Sequence, residues 1–482
     1  FFVTEILRAL TESDLPQPYT AASLDQLTLP DAIQTLIQNR LERLSRESRQ
    51  LLSIAASVRR EFSFDFLRDI ITHVDEETVL DYLEEWLERG LVVEQAEGYD
   101  FAHQQIRTVA YNLLSRPRRR RIHRQIALAL EQHAPTAVER IARHYTLSDQ
   151  PTQAIPSLLT AGQRAVNIRS YQEAQLIGRT LLDILQQAKE QTSLTHQQQL
   201  AAAYSFSGHT DQALAVLGDV VTLAAQQGDQ PAAGQALLKI AQLHWLQGDV
   251  RQARPAAESA LTRLNNTPAH GAVLRLLGRI NIAQGRFTQA KPYLLEALTY
   301  LTATDPASLL GRATMLGYLI TAHGHLGEEP QVREMMAELE RLERLVESPA
   351  VFAVIKTQTA VAFNALDRWA EAEPLAREGL RACEQHGLAV YTFVAKSVLG
   401  RVAYFLGRQQ EAYTHLRDAI AWAEAHQYTL FRYMAHVYLA EIAHHHGDQA
   451  TFTAEVKTAA HLAHQTDNQW AQQQIHALTH SP

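Results

Sequence analysis

GRINIAQGRFTQAKPYLLEA, residues 278–297, is the stretch whose pattern most of the chain repeats. Gly285 sits between two apolar helical runs, with small residues seven positions before it (Gly278), five after (Ala290) and twelve after (Ala297). Gly208, Gly248, Gly327, Gly407 and Gly447 occupy the same turn slot, with Asp367 and Arg169 standing in it elsewhere, at intervals of 37 to 42 residues. Seven before the turn stand Gly162, Ala201, Ala241, Ala360, Gly400 and Ala440; five after it stand Ala174, Ala213, Ala253, Ala372 and Ala412, with Val332 and Phe452 as exceptions. A turn glycine permits the left-handed backbone between antiparallel helices, and small residues let helix axes approach closely. The spacing therefore predicts paired helices stacked along the chain, stabilised by contacts between neighbouring pairs.

This pattern resembles the tetratricopeptide repeat, most closely at Leu277-Gly278, Leu399-Gly400 and Gly285 to Ala290. The family's period is about 34 residues, so each helix here is expected to be about a turn longer, and about eight pairs fill residues 136–482. If the family's concave-face positions carry over, six and three residues before each turn, they are Gln242, Trp245, Arg279, Asn364, Arg401, Tyr404, Glu441 and His444. Aromatic rings amid Arg and Asn suit a peptide or polar ligand, and equally suit packing between pairs.

Upstream the periodicity changes. Residues 99–111, YDFAHQQIRTVAY, read as the start of a helix whose buried stripe is Phe101, Ile106, Val109, Ala110 and Leu113. Before it come a short β-branched run bracketed by Gly90 and Gly98, and helices expected around Ala32–Leu44, Leu51–Ala55, Phe64–Ile71 and Glu76–Glu88. An amphipathic helix is expected at 1–10, a loop at 12–23, and Pro30 at a helix start. Helix, strand, turn, helix is the order of a winged-helix unit, placed at 29–135, with 1–28 read as the tail of a preceding module. The helix that would enter a DNA groove carries Glu76, Glu77, Asp81, Glu84, Glu85 and Glu88, so phosphate repulsion argues against direct DNA binding. The Arg116–Arg124 run, RPRRRRIHR, reads as a solvated helix start with Ile122, Ile126 and Leu130 turned inward.

The run from Leu29 through the wing, FAHQQIRTVAY and RRRRIHRQIALALE resembles the region after the nucleotide-binding domain of STAND-class signalling ATPases. The resemblance implies a mostly α chain: a winged-helix-like unit followed by an α-solenoid that senses a protein, peptide or small-molecule effector. It also implies a nucleotide-binding domain in cis, ATP and ADP as that domain's ligands, and ligand-driven homo-oligomerisation. His103 matches the family's Met-His-Asp box, whose histidine contacts ADP phosphate, with Arg107 beside it; Ala102 and Gln104 stand where the box has Met and Asp. A helix N-terminus already favours anions, and His103 as a simple helix cap fits equally well.

The 482 residues carry a net charge of −8 with 46% apolar residues, an ordinary globular composition that gives no general attraction to nucleic acid or membrane. Cys383 is the single cysteine, which excludes an internal disulfide and suits the cytoplasm. There is no phosphate loop, HExxH or GxSxG motif in the sequence, so no catalysis by this chain is expected, and any ATPase is expected upstream of Phe1. His444-His445-His446 is a poor metal site because consecutive helical residues point apart, and Cys383 reads as a small packing residue. The alternative reading is a scaffold without a switch, or the regulatory tail of an enzyme such as a cyclase or kinase.

Overall fold

The computed structural model describes residues 31–58, 61–71, 74–96, 98–167, 170–187, 193–265, 267–302, 304–346, 348–425 and 430–480. The helix expected at 1–10, the loop at 12–23, Pro30 and Arg169 lie outside these residues, as do the side chains of Ala32, Ile33 and Leu36. The chain forms two compact units, residues 1–213 and 214–482.

Unit 1 begins with α1 (Asp31–Glu42), α2 (Arg46–Ala56), α3 (Phe64–Ile70) and α4 (Glu76–Glu88). Ser45, Ser63 and Asp75 start three of these by accepting a hydrogen bond from a backbone amide three residues on, which satisfies donors that a helix start leaves free. The helices bury Ile37, Leu41, Leu51, Leu52, Leu67, Val79, Leu83 and Trp86 in one core. Trp86 donates its Nε1–H to the Ser48 hydroxyl at 3.0 Å, and that hydroxyl donates to Glu85 at 2.7 Å, so the buried indole leaves no polar atom stranded.

The expected single strand is instead a hairpin, β1 (Val92–Gln95) and β2 (Gly98–Phe101), with Val92 opposite Phe101 and Glu94 opposite Tyr99. Tyr99 also exchanges both backbone hydrogen bonds with Phe62 at 2.9 Å, and a Cβ on Gly98 would lie 2.5 Å from the Phe62 carbonyl oxygen. Residues 99–101 thus belong to the sheet, and the helix α5 begins only at Gln104, running to Asn112. Its buried stripe is Ile106, Val109 and Ala110, as expected, but Leu113 is exposed and Leu114 takes the inward position, because the helix has ended by then.

The arginine-rich run opens α6 (Arg116–His133), which buries Ile122, Ile126 and Leu130. Arg119 donates to the Leu114 carbonyl, Arg120 to the Ser148 carbonyl, and Arg124 pairs with Asp149 at 2.8 Å. The same core continues through α7 (Val138–Thr146) into α8 (Ile155–Asn167), α9 (Tyr171–Gln186) and α10 (Leu194–Ser207). The division between units falls within α11 (Thr210–Gln226).

Unit 2 continues with α12 (Gln230–Leu246), α13 (Val250–Arg263), α14 (His270–Ala283), α15 (Phe287–Thr299), α16 (Pro306–His325) and α17 (Glu329–Glu343). It ends with α18 (Pro349–Ala365), α19 (Trp369–Gln385), α20 (Ala389–Phe405), α21 (Gln409–Ala425), α22 (Tyr433–His446), α23 (Gln449–Gln465) and a last unpaired helix, α24 (Gln469–His480). From α8 to α23 the helices form eight pairs. Gly208, Gly248, Gly285, Gly327, Gly407 and Gly447 all have φ between +64° and +82°, and Asp367 adopts +58° in the same slot. Asp is among the few non-glycine residues that tolerate this region.

Close helix approach explains the small residues. A Cβ on Gly324, near the end of α16, would lie 2.5 Å from the Ala362 Cα in α18. Because backbone faces backbone there, Gly324→Ala is expected to destabilise unit 2 by about 1–3 kcal/mol, read as a shifted denaturant midpoint.

Candidate functional site

Unit 2 holds a half-open cavity of about 510 Å³, within the range of small-molecule sites. Its walls come from the ends of helices far apart in sequence: Arg286 and Phe287 after the α14 turn, His325 ending α16, Asn364 ending α18, Arg401 on α20, Tyr438 and Glu441 on α22, and Trp470 and Gln473 on α24.

Arg401 organises this wall. It donates from Nε and Nη2 to the two Glu441 carboxylate oxygens at 2.6 and 2.8 Å, and from Nη1 to the Asn364 carbonyl oxygen at 3.0 Å. Its guanidinium lies over Trp369, Phe405 and Tyr438, 4.8 to 5.3 Å from the ring centroids. The bidentate fork and the stacked rings are geometry that only arginine supplies. Burial works against the Arg401 charge, but Glu441 outweighs it, so the guanidinium is held above its usual range. Asn364 in turn donates to the Tyr438 hydroxyl at 3.0 Å, and burial pushes that phenol up to about 12.

His325 stacks on Phe287 at 4.1 Å between ring centroids and meets Trp470 edge-on at 5.7 Å. Its Nδ1 faces the Thr321 carbonyl oxygen at 2.9 Å; a carbonyl only accepts, so Nδ1 carries the proton and Nε2 is an acceptor. Burial is the chief cause that pushes this imidazole down to about 4, with the Arg401 charge adding to it and the Thr321 hydrogen bond opposing. The folded state therefore takes up a proton less readily than the unfolded chain. Its contribution is full above about pH 6.5 and is lost as pH falls towards 4, by at most about 3 kcal/mol. His325 is only part-buried by surface exposure, so the smaller part of that range is expected. Comparing wild type with His325→Gln across pH 7.5 to 4 isolates it from the carboxylates: the difference in stability should shrink as pH falls.

The wall on the α24 side is fixed by a clasp. Asp467, at φ +51°, accepts from Arg286 Nη2 at 2.6 Å and Gln284 Nε2 at 3.2 Å. Buried Asn468 donates to the Ala283 carbonyl and the Tyr433 hydroxyl, both at 2.7 Å, while its Oδ1 accepts from the Ala471 amide and starts α24. Gln469 N–H donates to the Gln284 carbonyl at 2.8 Å. Residues more than 180 positions apart are thereby joined.

Of the eight concave-face residues read from sequence, Asn364, Arg401 and Glu441 meet at the cavity. Arg279 lies over Trp245 at 4.8 Å, Tyr404 packs on Phe405 and His445, His444 packs on Phe452, and Gln242 is exposed; none of these five lines it. Arg286, His325, Tyr438 and Trp470 were not foreseen, although Arg286 lies inside the opening motif. In unit 1, exposed His103 caps α5, its Nδ1 3.5 Å from the Gln105 amide, and Arg107 lies 3.9 Å from Asp100. Cys383 is fully buried beside Thr357, and burial pushes its thiol up.

The tetratricopeptide-repeat family signature matches residues 234–259 and 394–418, which span the α12–α13 and α20–α21 turns. The array is a tetratricopeptide-like solenoid. No curated protein sequence matches the chain. Among solved structures it is similar to a Signal Transduction ATPase with Numerous Domains (STAND) protein with a tetratricopeptide repeat sensor from Pyrococcus horikoshii. That match has a TM-score of 0.59 and 12% identity, and covers 95% of this chain and 67% of the other. The apo form of the quorum sensor NprR from B. thuringiensis aligns over 81% of this chain and 99% of its own at 14% identity, with a TM-score of 0.47. Among the described residues no helix is long and apolar enough to cross a membrane.

Proposed function

We propose that this chain is the regulatory, effector-sensing part of a STAND-type signalling ATPase. The observation that carries the reading is the cavity in unit 2, where helix ends from successive pairs converge on Arg401 and its partners. The backbone likeness to a STAND protein with a tetratricopeptide repeat sensor supports the arrangement. In this reading residues 29–135 are the winged-helix unit, and the α2 to α5 order with its hairpin is consistent with it. His103 and Arg107 face the phosphates of ADP held by a nucleotide-binding domain in cis, with the His103 ring at the positive end of α5. An effector on the repeats shifts the equilibrium from a closed, ADP-bound monomer to an open, ATP-bound oligomer, as a cytoplasmic transcriptional or signalling regulator. This chain contributes no catalytic group to that cycle.

The test is ADP retention in the protein that carries this chain behind its nucleotide-binding domain. His103→Ala should speed ADP release about tenfold, the equivalent of one lost charge-assisted hydrogen bond of about 1.4 kcal/mol. Unchanged release would leave His103 as the helix cap its position already makes it.

A further inference from the structure

The cavity's charge state says what it can hold. The charges of its two arginines are both met by carboxylates, Arg401 by Glu441 and Arg286 by Asp467, although Arg286 Nε–H stays a buried donor without a partner among the described residues, and its histidine is neutral with an acceptor Nε2. The other hydrogen-bonding groups on the wall are chiefly amides that both donate and accept: Gln289, Asn364, Gln469, Gln473 and Gln474. A charged guest would lose part of its hydration in this half-open site without gaining an unpaired opposite charge, a penalty an uncharged guest escapes. The Phe287, His325 and Trp470 rings add a flat apolar face. Because α24 supplies one side and the turn after α14 supplies another, a guest of this size would touch both partners of the clasp.

From this we infer that the cavity binds a small, uncharged, polar molecule with one flat face, and that the bound molecule holds the α24 clasp shut. This rests on the reading that the repeats sense an effector, and narrows it to a small molecule in one place. The clasp is built from hydrogen bonds and one ion pair at the end of the array, so it opens locally at a fraction of the free energy of unfolding. A guest that contacts both sides binds only the closed form and shifts the population towards it.

The experiment uses the whole chain and two fragment libraries matched in size, one uncharged and polar, the other anionic and cationic, with hydrogen exchange of residues 469–480 as the readout. Uncharged fragments should slow exchange there at least fivefold and leave 230–246, which touches no part of the cavity, unchanged. Gln473→Ala, an exposed position that threatens folding little, should weaken that protection, and Asp467→Asn should speed exchange of 469–480 in the absence of any fragment. Protection by charged fragments alone, no protection by any fragment, or protection indifferent to Gln473→Ala would overturn the proposal. So would an Asp467→Asn variant in which α24 exchanges at the wild-type rate. These outcomes leave the broader sensing reading standing, since a protein or peptide could act elsewhere on the repeats. That reading fails instead on nucleotide release, which fragments do not report.

Discussion

Arg401→Ala is expected to destabilise unit 2 by about 3 kcal/mol, lowering its unfolding temperature by about 6–10 °C. The guanidinium is 15% exposed and Glu441 18%, so deletion strands a mostly buried carboxylate and the Asn364 carbonyl in one step. It also removes the plate between Trp369, Phe405 and Tyr438. Arg401→Lys should recover only a minor part, since an ammonium cannot match the two carboxylate oxygens or stack on the rings. The double variant Arg401→Ala, Glu441→Ala should be more stable than Arg401→Ala alone, because no unpaired charge remains. A double variant as unstable as the sum of the singles would show that the two side chains act independently.

Gly285→Ala is expected to lose about 2–4 kcal/mol, well beyond the effect of the same change at Gly407, about 1 kcal/mol. Both positions are left-handed, with φ +64° and +82°, so the conformational penalty is shared. They differ in surroundings. A Cβ at 285 would lie 2.5 Å from the Trp470 Cβ and 2.6 Å from its backbone nitrogen, whereas one at 407 meets nothing within 4 Å. The excess at 285 therefore measures the docking of α24, and should appear as faster exchange in 467–480. Equal losses at the two sites would mean that α24 contributes nothing to closure.

The periodic part of the fold was readable because each turn slot states its own requirement. Gly278, Gly285 and Ala290 carry the reason for their identity within one helix pair, and Asp367 could be placed by interval alone although it is no glycine. The matching turns between pairs were missed: Gly228, Gly387 and Asp467 are also left-handed, about twenty residues after the intra-pair turns, but only two of them are glycine and no small-residue ladder marks them. The hairpin strand at 98–101 was hidden because Phe101 passes for the first residue of the helical stripe that follows, although Tyr99 and Phe101, two positions apart, share a face only in a strand. Tyr99 also pairs with Phe62, far upstream, while Phe101 pairs with Val92.

The cavity was only partly legible for a related reason. Arg401 and Glu441 stand six residues before their turns and Asn364 three before its own, so all three could be named from the repeat. Arg286 and Trp470 reach the same space only because curvature accumulated over several pairs brings the α14 turn to the start of α24. No local spacing encodes that sum. His103 is the converse case: its place at a helix start was readable and is what the structure gives, while its proposed partner is a nucleotide held by another domain.

The central claim, that the repeats report an effector to a nucleotide switch, is tested most directly by the release rate of a fluorescent ADP from the protein that carries this chain behind its nucleotide-binding domain. Loosening the clasp with Asp467→Asn should change that rate at least threefold without altering the fold of residues 31–213, and His103→Ala should abolish the difference. A release rate indifferent to the clasp, or a protein that holds no nucleotide at all, would contradict the switch and leave a tetratricopeptide-like scaffold.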